Sequence, residues 1–452
     1  MKELVLTALV ATVSLVFPLL LKSQSPVAFS LQQAQEYAYQ NNYDLKNSLL
    51  DVQIAKKLVR QNTAIGLPQI NASASYVDNL MIPTTVIPNF LSFLDTTGKA
   101  PKFLELQFGT KYQLTAGAQA TQLVYNGEYL VGLQTAKAYL ESIKQKMLKD
   151  KLSVRDLVTA SYISVLIVNE STEILDSTYS TVTRLVTELK ESYKNGLIED
   201  IDVDQGELNR DNLAATLEVM KENRKYMYNY LRFVMGIKEN QEIILTDHLD
   251  DFIKNLNREY LINQIFDYNH NIDYTLLKKQ EFLTLMQYKL SMTAYQPSLA
   301  AFLGINSQAL RPKWDFFDAK QPWYTSSNWG LSVNIPIWSS GQRKNSVDQA
   351  KLNLDKIKVT EEKAKVGLTL QVETARNEFN KSYVVFLNNQ KGLTTSKKIY
   401  DKTVIKYKQG VSSSTDLNQK YNQFLGAQGA YFTSMLDLLK ASINLSALLE
   451  KF

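Results

Sequence analysis

The chain has no cysteine, two histidines (His248 and His270) and ten prolines in 452 residues. Without cysteine there is no disulfide, no thiolate nucleophile and no lipid-bearing N-terminal Cys, so an exported chain would rely on packing or oligomerisation for stability. The histidines stand apart from any second ligand type at a metal-binding spacing. A phosphate-cradling Gly-rich loop and a nucleophile elbow are both missing. Carboxylates are plentiful, but they interleave with Lys on helical faces and read as solvated. The expectation is a non-enzymatic protein that needs neither metal nor cofactor. The formal charge of +5 is mild for this length and gives no case for nucleic acid. Beyond residue 25 no run of about 20 apolar residues remains, so no transmembrane helix is expected.

The first 25 residues carry Lys2, an apolar run from Leu4 to Leu21 and the small residues Ser23-Gln24-Ser25. This reads as a secretory signal, with a signal anchor as the alternative. Its removal takes away Lys2, Glu3 and Lys22 and lowers the charge by one unit.

The rest of the chain is written twice. Tyr193-Lys194-Asn195-Gly196-Leu197 leads into Asp202-Val203-Asp204-Gln205. Tyr407-Lys408-Gln409-Gly410-Val411 leads into Asp416-Leu417-Asn418-Gln419, at a constant offset of 214 residues. The same offset carries Gly127 onto Gly341. A fixed internal offset means a duplicated architecture, and the glycines suit the turn at the tip of a helical hairpin.

In chain order, a helix is expected from Ser30, its cap, to Gly66, with Ala34, Ala38, Leu45, Val52 and Ala55 at helical spacing. The period then drops to two over Ile70–Tyr76. A segment bearing Pro83, Pro88 and Pro101 reads as a long loop. Strict alternation resumes from Leu104 to Thr121 and is read as one strand of nine dyads, much longer than the usual five or six residues. Such length fits a membrane β-strand with a wet inner face; a soluble hairpin is the alternative.

From Glu128 to Asn195 the period is helical, and Leu133, Ala136, Leu140, Ile143 and Met147 step as a coiled-coil seam. Roughly 65 such residues make a helix of about 100 Å. A return helix runs from about Val203 to Met235. The second half repeats the plan: a helix over 258–294, strands at 299–303 and 329–335, a helix over 342–409, a tip and a last helix. The implied organisation is a signal at 1–25, a first repeat at 26–240, a connector at 241–257 and a second repeat at 258–452. Trp314, Trp323, Trp329 and Trp338 bracket the final strand, as interfacial aromatics would; a packed aromatic cluster is the alternative. Four strands cannot close a barrel, and open edges in lipid are costly. Strands in a membrane would therefore demand several chains per barrel.

Over the whole mature chain this pattern resembles the TolC-like outer-membrane efflux proteins, the outer membrane factor family. The resemblance rests on the duplicated element order, Leu67-Pro68 before the first strand, Asn126-Gly127 and Ser340-Gly341 after the strand pairs, and the two Tyr-Lys-x-Gly tips. It implies a mixed α/β membrane protein with a long helical barrel of coiled-coil hairpins and a β-barrel shared by three chains, four strands from each. It also implies a passive exit duct for efflux or type I secretion in a Gram-negative outer membrane, reaching into the periplasm. The partners implied are two further copies, outer-membrane lipid, a periplasmic adaptor, and an inner-membrane pump of the resistance-nodulation-division or ABC type. The alternative function is a periplasmic adaptor with helical hairpins.

The resemblance further assigns Asn195, Gly196, Leu197, Gln409, Gly410 and Val411 to adaptor docking. It assigns Asp202 and Tyr407 to a periplasmic gate, with Ser412 where the family has a basic residue. Asp416 matches the first of two luminal acidic positions and Gln419 stands at the second. Asp202 and Asp416 equally suit helix caps, so both readings stand.

Overall fold

The computed structural model describes residues 27–90, 101–238 and 241–450, so the expected signal lies outside the described residues. In chain order the elements are β1 (Val27–Phe29), α1 (Leu31–Asn41), α2 (Tyr43–Ile65), β2 (Gln69–Asp78), β3 (Thr84–Pro88), β4 (Phe103–Gln107), β5 (Tyr112–Asn126), α3 (Gly127–Lys194) and α4 (Asp200–Met235). There follow β6 (Ile243–Leu245), α5 (Leu249–Lys254), α6 (Arg258–Asn263), α7 (Ile272–Met292), β7 (Ser298–Arg311), β8 (Tyr324–Asn334), α8 (Gln342–Lys408) and α9 (Ser414–Leu449). The chain divides into two compact units. One is drawn from Met1–Asn42, Val154–Asn257 and Lys381–Ile443, the other from Tyr43–Ser153, Arg258–Asn380 and Asn444–Phe452.

Several expected elements are interrupted for local reasons. The helix expected from Ser30 to Gly66 begins with a capping box, Ser30 and Gln33 bonding each other's backbone N–H. It then breaks at Asn42, whose backbone is extended (φ −56°, ψ 136°) and whose Nδ2 donates to the Val234 carbonyl at 2.7 Å. The helix expected over 258–294 likewise splits into α6 and α7. Asn271 restarts it, its Oδ1 accepting from the N–H groups of Asp273 and Tyr274. The strand of nine dyads is in fact two, β4 and β5, parted at Gly109 (φ +130°). The proline-bearing stretch is not all loop: β3 pairs antiparallel with β4. The connector is not merely a link between repeats, because β6 pairs in parallel with β1.

In the first unit Tyr162 is fully buried and its hydroxyl donates to the Phe29 carbonyl at 2.8 Å. The Asp247 carboxylate accepts the Leu31 N–H at 2.7 Å, fastening the start of α1 to the segment after β6. Contrary to expectation, α3 and α9 each contain a window apolar and long enough to cross a membrane; half of each window is buried, so helix packing already accounts for its composition.

The second unit holds a four-stranded antiparallel sheet, β2-β5-β7-β8, among eight strands in the described residues. Its register sets Ile70 opposite Ala120, Ala120 opposite Leu303, and Leu303 opposite Trp329; one dyad along, Ala72, Ala118 and Ile305 align. Directly paired residues share a face, so these positions form a largely apolar face, interrupted at Ser307 and Ser327, while Phe302 lies on the other. Asn71, Gln119, Gly304 and Asn328 share that other face. The apolar face is uncovered: Ile70 is 75% exposed and Trp329 78%.

The same unit contains a buried charge. Glu361 on α8 is 9% exposed and accepts from the Tyr274 hydroxyl at 2.6 Å and from Lys365 and Lys278 at 3.1 and 3.3 Å. The Tyr274 hydrogen bond, then the two lysines, hold its carboxyl down to about 2 against the cost of burial. A carboxylate with a lowered folded-state pKa stabilises the fold above its unfolded value and loses that contribution as pH falls through the folded one. Glu361→Gln should therefore lower unfolding free energy by about 1–3 kcal/mol at pH 7 and by progressively less toward pH 2. Urea unfolding of both proteins from pH 7 to 2.5 checks this; a difference independent of pH would overturn it.

Candidate functional site

Two regions hold the residues singled out in the sequence. The first is the pair of hairpin tips, which lies wholly within the first unit. At the first tip Gly196 (φ +73°) ends α3; its N–H donates to the Tyr193 carbonyl and the Leu197 N–H to the Ser192 carbonyl at 3.0 Å. At the second tip Gly410 (φ +73°) does the same, with Val411 donating to the Lys406 carbonyl at 2.9 Å. Both are Schellman turns, which require the left-handed backbone that glycine adopts freely. A Cβ at either glycine would meet nothing within 4 Å, so the constraint is conformational and not steric. The turns leave Leu197 and Val411 75% and 73% exposed, with Asn195 and Gln409 exposed beside them.

Behind the tips, α3, α4, α8 and α9 share an apolar cluster that includes Val186, Leu213, Tyr400, Leu417, Tyr421 and Phe424. Tyr400 stacks on Phe424 with ring planes 2° apart and centroids 5.6 Å apart. Burial, with a smaller effect from Asp401, pushes the Tyr400 phenol up to about 12. Asp202 and Tyr407 border the same small cavity of about 30 Å³, together with Tyr421. The hydrogen bond expected between Asp202 and Tyr407 is not formed in the single chain. The Tyr407 hydroxyl is buried without a partner among the described residues, and burial followed by the Asp202 charge raises its pKa.

Ser412, at the position expected to be basic, donates to Asp416 at 2.7 Å, while the Asp416 N–H donates to the Ser413 hydroxyl at 3.2 Å. Within one chain Asp416 therefore takes part in the first turn of α9. Gln419 is exposed.

An ion pair missed in the sequence joins the hairpins: Lys408 Nζ lies 2.6 Å from Glu188 on α3. A signal was present. Lys194, its counterpart at the constant offset, is paired locally with Glu191, but the residue matching Glu191 is Ile405, so Lys408 has no acid three residues back. Both partners are nearly half exposed, so the pair is worth at most about 1 kcal/mol. Two further links cross the bundle, Lys190 to Glu207 at 2.5 Å and Asn209 to Asn418 at 2.9 Å.

The second region is the sheet. Trp314 and Trp323 fall in the β7–β8 connection and Trp338 follows the other end of β8. Trp329 sits mid-strand on the apolar face, not at a strand end as expected. Trp314 contacts Phe316 and Phe317 edge-on. Among the described residues no cluster of His, Cys, Asp or Glu could hold a metal ion.

Residues 283–450 match the family described as outer membrane efflux protein. No curated protein matches the chain. Solved structures do match in fold: the transmembrane channel CusC (15% identity, 93% of this chain and 92% of that one, TM-score 0.71), the Campylobacter jejuni CmeC outer membrane channel (17%, 93% and 85%, 0.69) and the open-state Neisseria gonorrhoeae MtrE outer membrane channel (16%, 93% and 88%, 0.69). The chain thus shares its fold with outer-membrane channels over nearly its whole length, and the resemblance noted in its sequence holds.

The tip geometry sets a conformational test. Gly410→Val should cost about 1–2 kcal/mol through backbone strain alone, and Gly410→Asn clearly less, since Asn enters the left-handed region more readily. Hydrogen exchange of the tip amides measures both; equal losses would show that the turn does not depend on this backbone state.

Proposed function

We propose that this chain is the outer-membrane exit duct of a tripartite efflux or type I secretion system, with three copies sharing one β-barrel. The observation that carries this is the sheet: one face largely apolar and uncovered, the other mostly small and polar, and both edge strands open among the described residues. In hydrocarbon every backbone N–H and C=O needs a partner. β2 and β8 run antiparallel to each other across the sheet, so β8 of one copy can continue the antiparallel pattern onto β2 of the next. Repetition of that heterologous contact closes a ring. Twelve strands leave room for a lumen lined by the small polar face. The eleven residues of β8 span about 36 Å, enough to cross a bilayer when tilted.

Exposed apolar stripes on the helices also favour further copies. Leu352, Val359 and Val366 recur every seven residues on α8 and are all at least 66% exposed. The uncovered Leu197 and Val411 suit docking of a periplasmic adaptor, which would link the duct to an inner-membrane pump. The adaptor reading of the chain itself leaves the apolar sheet face unexplained.

Two experiments bear on this role. Leu331→Arg places a charge on the lipid face and should destabilise the inserted barrel by about 2–4 kcal/mol, whereas Ser332→Arg, facing the lumen, should be tolerated. Heat-modifiable mobility and native mass measurement report the trimer; equal tolerance of both changes, or a monomer in lipid, would refute a shared barrel.

At the tips, Tyr407 and Asp202 would complete their hydrogen bonding in the closed ring. Tyr407→Phe should then raise resting conductance in planar bilayers. If Asp416 also faces the lumen as a three-fold ring, Asp416→Ala should remove block by multivalent cations; unchanged conductance and block in both variants would leave these residues as structural caps.

A further inference from the structure

Farther along the first unit, α3, α4 and α9 enclose a cavity of about 410 Å³, the size of a small-molecule site. None of its fourteen lining residues is charged, in a chain where 21% of residues are Asp, Glu, Lys or Arg. Its lining includes Gln428, 2% exposed, whose Oε1 and Nε2 both lack a hydrogen-bond partner among the described residues. Tyr421, 4% exposed, adds a hydroxyl that is also unpartnered. A buried carboxamide with neither atom paired is rare and costly in folded proteins. Beside it stand the apolar side chains of Leu213, Met220 and Phe432. The rim is polar and open: Asn212 and Asn422 are exposed, and a Cβ at Gly429 would meet nothing within 4 Å.

We infer that this cavity binds a small neutral aromatic carboxamide, whose amide pairs donor-to-acceptor with Gln428 while its ring lies against Phe432 and Met220. A primary amide offers one donor and one acceptor side by side, the complement of the Gln428 side chain. The uncharged lining disfavours an anion or cation of the same shape, because a charge there would lose its hydration without a counter-ion. The cavity adjoins the tip cavity through Asn209 and Tyr421, which border both, so an occupant lies next to the residues that close the hairpin bundle.

The test uses the purified full-length protein and two soluble probes of one shape, neutral nicotinamide and anionic nicotinate, followed by saturation-transfer NMR. Saturable nicotinamide binding is expected, with nicotinate weaker by about tenfold or more. Gln428→Leu, which removes the unpaired amide at similar size, should weaken nicotinamide by about tenfold. Gly429→Phe, at an open and exposed position, should abolish it by filling the mouth. Circular dichroism establishes that each variant keeps its helices. Failure of nicotinamide to saturate the wild type, equal binding of nicotinate, or unchanged nicotinamide binding in both variants would overturn the assignment.

Discussion

A sheet with two open edges carries two rows of unpaired N–H and C=O groups, and in lipid that is not a stable end state. Water can satisfy such edges on a soluble protein; hydrocarbon cannot. The four strands here gather Ile70, Leu303, Trp329 and Leu331 on one face, so in the proposed membrane setting the surface that avoids water also needs its edges closed. Pairing with further strands, as proposed above, would meet both demands. In the proposed assembly the long helices and their tips would extend what the shared strands begin.

Much of this architecture is legible in the sequence because its signals are periodic or duplicated. The constant offset locates both tips, and the Schellman turns at Gly196 and Gly410 form where it places them. Periods of two and of 3.6 separate sheet from helix correctly. The interruptions are harder to see. Asn42 and Asn271 break helices because their side chains bond backbone groups better than a continuing turn would, and nothing in the apolar pattern marks them. Gly109 divides β4 from β5 although alternation runs straight through it, since side-chain periodicity is blind to a single positive φ.

The site residues are legible in identity but not in partnership. Asp202 and Tyr407 do border one cavity, yet their hydrogen bond is absent from the single chain, and Ser412 serves Asp416. The missing acid three residues before Lys408 marks it as paired elsewhere, but Glu188 as its partner is hidden because it lies on another helix, far away along the chain. The duplicated tips have diverged in how they use the same lysine: Lys194 holds to its own helix, and Lys408 reaches across to the other hairpin. Gln428 gives no sequence signal, as a buried amide without a partner is visible only once its neighbours are placed.

The parallel pair of β1 and β6 joins Val27 to Ile243, and with it the Leu31 N–H reaches Asp247 across 216 residues. A chain delivered from its N-terminus cannot make that closure until the entire first repeat has emerged. Loop closure over such a distance is entropically expensive and slow. The opening residues must wait, unpaired, until β6 has emerged, whereas α8 and α9 of the same bundle follow only later in the chain. Delivery thus has a built-in order, in which this stitch can close the first repeat before the second has emerged.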